Sequence, residues 1–153
     1  MRHPRPESIR LGRWYQAVVY GVLLVLFLSG VAWAGFQYLA GTVAFQSAKS
    51  WSLKVHGAAS MATLVLVGSL LTAHVRFAWR ANRNRLNGVV FIATLTFLTV
   101  TGYGLYYLGD ERWRAFASWS HLIVGVLLPL LVLTHVLSGR RTRPHKGPLK
   151  GQI

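Results

Sequence analysis

Residues 51–77 read WSLKVHGAASMATLVLVGSLLTAHVRF. The run is apolar and long enough to cross a bilayer as a helix. It carries one histidine near each end, His56 and His74. An ionisable side chain inside a membrane helix is costly and seldom present without a use. The two histidines are eighteen residues apart, which at 3.6 residues per turn is about five whole turns, so both rings leave one face, roughly 27 Å apart along the axis.

Working outward, residues 116–138 repeat the arrangement with His121 and His135. Two further apolar runs lie at residues 14–38, which has no histidine, and at residues 86–108, rich in Thr and Phe. Membrane-buried threonines satisfy their hydroxyls within the helix or against neighbours, and Gly102 and Gly104 permit close helix approach. The sequence therefore predicts an all-α membrane protein: a four-helix transmembrane bundle over residues 14–138, with basic tails at 1–13 and 139–153. An alternative for the first run is a signal peptide cleaved after Ala32-Trp33-Ala34. Its length and its aromatic flanks favour a span.

The chain has 153 residues, 53% of them hydrophobic and only 13% charged, which is wrong for a soluble globule. The net charge of +14 sits in short connections and tails beside apolar spans, a topology signal rather than a nucleic-acid surface. Thirteen Lys and Arg fall in the N-terminal tail, the second connection (Arg76, Arg80, Arg83, Arg85) and the C-terminal tail; four fall in the other two connections. That asymmetry predicts both termini in the cytoplasm and, in a bacterium, an inner-membrane location with lipid as the surrounding partner. His3 and His145 lie in the polar tails and read as solvated. The chain has no cysteine, so it offers no disulfide, thiolate ligand, cysteine-held iron–sulfur cluster or covalent haem link.

In this topology the histidine-bearing spans run parallel. His56 and His121 then share the outer level, and His74 and His135 the inner one. Two histidines per level are too few for a bare zinc or copper ion, which wants three or four ligands. They suit haem, which brings four equatorial nitrogens and takes two axial imidazoles. Two non-covalent b-type haems are expected, with His56 and His121 gripping one and His74 and His135 the other. The spacings are unequal: His121 and His135 are fourteen residues apart, about 21 Å and roughly 40° short of four turns. Pro129 between them offers a kink to absorb the difference. Small residues near the ligands (Gly57, Ala58, Ala59, Ser60, Gly125) leave room for a macrocycle, or serve ordinary close packing. Arg76 and Arg80 follow His74 at a depth suited to haem propionates. Lys54, Arg112 and Arg114 are placed to do the same on the outer side. The other reading of these cations is topology charges reaching the headgroups.

Residues 51–141 resemble the prokaryotic four-helix b-type cytochromes, which include cytochrome b561-like proteins and the membrane subunits of formate dehydrogenases and nickel–iron hydrogenases. The resemblance rests on the histidines of the second span, the TGYGLYYLGDERWR turn, and SHLIVGVLLPLLVLTHVLSGRR with its fourteen-residue histidine spacing. In several such proteins a first-helix histidine ligates haem. Here the first span has Gln16 and Tyr20 instead, so the ligand set is closer to two plus two. The resemblance implies electron relay between a quinone in the bilayer and a periplasmic redox protein or dehydrogenase subunit, within a larger respiratory complex. A quinone near the inner haem would lie within reach of Arg13, Arg76 and Arg80. Two alternatives use the same chain differently. One is a self-sufficient oxidoreductase acting on quinone and a small oxidant such as superoxide or ferric iron. The other is a haem-free anchor or metal transporter, against which stands the lack of an Asp or Glu within any span.

Overall fold

The computed structural model describes residues 12–38, 43–71 and 85–141, with side chains as far as residue 139. Four helices form it: α1 (Arg13–Tyr38), α2 (Gln46–Leu70), α3 (Arg85–Tyr107) and α4 (Glu111–Arg141). Each is long and apolar enough to cross a membrane. His74, Arg76 and Arg80 fall outside the described residues.

Aromatic and polar contacts give the helix directions. At one end Phe36 of α1 stacks on Phe45 just before α2, and Tyr38 stacks on Trp119 of α4. At the other, the Tyr15 hydroxyl meets Ser69 and the Leu66 carbonyl of α2, while Asn87 of α3 donates to the Thr134 carbonyl of α4. The four described helices therefore alternate in direction, with α2 parallel to α4. α1 packs along α2 and α3 along α4, and α1 touches α4 more lightly. Two helical hairpins thus lie side by side.

The interior is mostly small and hydroxyl-bearing: Ser29, Ala59, Thr63, Thr101 and Ala117 are buried along with two leucines, Leu95 and Leu128, whereas Val65, Val100, Ile123 and Leu130 face outward. This inverts the pattern of a soluble core. Lipid tails solvate Leu and Val as well as protein does, so close backbone approach through small residues stabilises the bundle instead. Hydroxyls in lipid need partners, and these bond their own helices: Thr63, Thr94, Thr99 and Thr101 each donate to the carbonyl four residues earlier, at 2.8 Å.

Two helix starts differ from the sequence expectation. α2 begins at Gln46, after a 3₁₀ turn at Val43–Phe45, rather than at residue 51. Lys49 therefore lies within a helix. α4 begins at Glu111 rather than 116, because Asp110 caps it: Asp110 Oδ1 accepts from the backbone N–H of Arg112 at 2.9 Å and of Trp113 at 3.1 Å. The expected turn over 109–114 is thus mostly the first turn of α4. Asp110→Ala should lower stability by about 1 kcal/mol in detergent unfolding, and Asp110→Asn should retain most of it. α4 continues as one helix through Pro129.

Candidate haem-ligand site

His56 of α2 and His121 of α4 face each other across the seam between the hairpins, with ring centroids 6.2 Å apart and planes at 76°. The backbones of α2 and α4 do not pack closely here; the rings span the space between them.

Each ring is held from behind by the odd-numbered helix of its own hairpin. His56 Nδ1 lies 2.9 Å from the Leu26 carbonyl and 3.4 Å from Ser29 Oγ. A carbonyl only accepts, so Nδ1 carries the proton and Nε2 keeps its lone pair. His121 Nδ1 lies 3.0 Å from Thr101 Oγ1. That hydroxyl donates to the Phe97 carbonyl at 2.8 Å, so it accepts from the imidazole. Both histidines therefore share one tautomer, with Nδ1–H turned toward a bracing helix and Nε2 free to bind.

The donor set fits haem. An imidazole nitrogen sits about 1.1 Å from its ring centre and binds a first-row metal at about 2.0 Å, so two opposed axial imidazoles have ring centres about 6.2 Å apart. The observed 6.2 Å matches that separation. Donation of the second ring N–H to a carbonyl or hydroxyl is also what a metal-bound histidine usually does. Among the described residues no group of three or more His, Cys, Asp or Glu side chains could hold a bare metal ion.

Two glycines make the rings fit. A Cβ on Gly30 would lie 2.9 Å from His56 Cε1 and 3.0 Å from Nδ1, and one on Gly102 would lie 3.3 Å from His121 Cε1. Gly57 and Gly125, beside the ligands in sequence, have open space where a Cβ would stand, with nothing within 4 Å; the close approaches to the rings come from the facing helices. The signal was present in the sequence: LFLSG at 26–30 and LTVTG at 98–102 share a Leu-x-x-Ser/Thr-Gly pattern, and each supplies a hydroxyl and a gap to one histidine.

At the other level, the His135 ring stacks on Phe91 of α3, with centroids 5.0 Å apart and planes at 24°. His74, its expected partner, lies outside the described residues, as do Arg76 and Arg80. A shallow groove of about 340 Å³ between α1 and α4 is lined by Tyr20, Pro129, Val132, Leu133 and Val136. Lys54 sits over the Trp51 ring at 4.8 Å, and Arg114 pairs with Glu111 one turn earlier.

No family model matches the chain, and comparison with curated proteins and with solved structures likewise finds no match.

Proposed function

We propose that the chain is a membrane b-type cytochrome that relays electrons across a bacterial inner membrane, between a quinone pool and a periplasmic redox partner, as a subunit of a larger respiratory complex. The observation that carries the reading is the His56–His121 pair: two imidazoles of one tautomer, opposed at 6.2 Å across a seam where the backbones stand apart. Haem bound there supplies one-electron chemistry, and two axial imidazoles leave no open position for oxygen.

The chain's own residues do the rest. His56 and His121 hold the outer group from two sides, and the bracing helices keep their Nε2 atoms unprotonated. The apolar walls exclude water. His135, with His74, would form the second pair one membrane leaflet further in, with Arg76 and Arg80 as the partners for its propionates. Both termini are cytoplasmic, in keeping with the charge asymmetry. A quinone reaches the inner haem from the lipid. The Tyr20–Pro129 groove, lined on α4 by Val132, Leu133 and Val136 close in sequence to His135, supports an approach from that side.

The test is the reduced-minus-oxidised spectrum of the purified chain with its haem-to-protein ratio. A b-type spectrum with about two haems per chain is expected. A colourless chain sinks the proposal. One haem per chain confines it to the outer pair. Arg76→Ala should slow quinone reactivity while leaving the outer haem spectrum unchanged; unaltered quinone kinetics would remove Arg76 from the quinone site.

A further inference from the structure

The duplicated brace behind the two histidines has a role of its own. LFLSG and LTVTG sit on α1 and α3, which supply no ligand to the outer site, yet each places the same two features against a histidine of the next helix. These are a Ser or Thr hydroxyl and a glycine, joined on the α1 side by the Leu26 carbonyl. Ser29 and Thr101 are both buried. Both hydroxyls spend their proton on their own helix, Ser29 on the Val25 carbonyl at 2.7 Å and Thr101 on the Phe97 carbonyl at 2.8 Å. Each is thereby left as an acceptor turned toward an imidazole. A hydroxyl in lipid that needed only a partner would be satisfied by that first bond, as Thr63, Thr94 and Thr99 are.

We propose that Ser29 and Thr101 are positioning residues that fix the tautomer and the ring orientation of His56 and His121, and through that set the electron-donating strength of both ligands. The proposal rests on the haem reading for its redox consequence but not for the tautomer, which the hydrogen bonds impose on the chain itself. An imidazole whose Nδ1–H is held by an acceptor is a stronger σ-donor through Nε2, and a stronger donor favours the more highly charged ferric state. The brace therefore holds the potential of the outer haem low.

The two arms are unequal. Thr101 Oγ1 lies 3.0 Å from its histidine and Ser29 Oγ 3.4 Å, so the His121 side depends more on its hydroxyl. The His56 side leans on the Leu26 carbonyl at 2.9 Å.

The test compares Thr101→Val, Thr101→Ser and Ser29→Ala in the full-length chain purified in detergent. Valine keeps the shape of threonine and removes the acceptor. Thr101→Val should lower affinity for the outer haem about tenfold and raise its midpoint potential. Should ferric affinity alone fall tenfold, the rise is about 59 mV for one electron. Thr101→Ser should restore both, which a loss of packing at the β-methyl would not. Ser29→Ala should move both in the same direction by less, and it tolerates the loss of a single oxygen if Thr101→Val does not fold. Independently, ¹⁵N chemical shifts of the histidines in haem-free wild-type chain should report Nδ1–H for both His56 and His121, and Thr101→Val should mix the tautomers of His121. Wild-type potentials with wild-type shifts in both Thr101→Val and Ser29→Ala would overturn the proposal. Braced tautomers in a chain that takes up no haem would sustain the brace and sink the cytochrome reading.

Discussion

His121→Ala, purified alongside the wild-type chain, is expected to carry about one haem fewer per chain, with the remaining absorbance that of the inner site. His56→Ala should give the same result. The double variant should lose no more than either single one, because two axial ligands on one iron act as a unit and their effects do not add. His135→Ala should instead remove the other haem and leave the outer one. This pattern separates an outer pair from an inner pair without any functional assay. A full haem load in both single outer variants would show that the 6.2 Å opposition of His56 and His121 has a different purpose, such as bridging the hairpins by hydrogen bonds.

The second large effect comes from a residue with no side chain. Gly30→Ala places a methyl 2.9 Å from His56 Cε1 and 3.0 Å from Nδ1, closer than carbon atoms approach. The ring lies between α1 and the seam, so it moves away from the Leu26 carbonyl or the helices separate. Overpacking of this kind costs about 1–3 kcal/mol, which at about 1.4 kcal/mol per tenfold is roughly a 5- to 150-fold loss of affinity for the outer haem. Gly102→Ala, with its nearest atom at 3.3 Å, needs a shift of only a few tenths of an ångström and should keep most of the haem. Gly35→Ala, on the same helix as Gly30 but with nothing within 4 Å, is the control and should leave the spectrum unchanged. Equal behaviour of Gly30→Ala and Gly35→Ala in haem content would show that the His56 ring is not confined as described.

The helices were legible because their signal is bulk chemistry: long apolar runs between basic connections can cross a bilayer only as helices. What the sequence hid was local. Asp110 looked like part of a charge-balanced turn because a cap is visible only once its Oδ1 is seen against the N–H groups of Arg112 and Trp113. Ser29, Gly30, Thr101 and Gly102 were unremarked as a set, since small and hydroxyl residues are the ordinary material of membrane helix contacts. Only the rotation of α1 against α2, and of α3 against α4, distinguishes a glycine that touches a histidine from Gly57 or Gly125, which touch nothing. One-dimensional spacing carries no information about that rotation between helices.

The seam also bears on how the protein is assembled. Each hairpin is held together by extensive helix contact and contains one histidine of the His56–His121 pair with its brace, whereas the hairpins meet each other lightly. On the proposed haem reading, neither half would grip an iron from both sides. Uptake of the cofactor would then also be the event that rivets one half to the other, and its binding energy would count toward quaternary-like cohesion within a single chain. Cells starved of haem should accumulate a chain whose hairpins are individually inserted but readily cut apart by protease, and supplying haem should close that vulnerability.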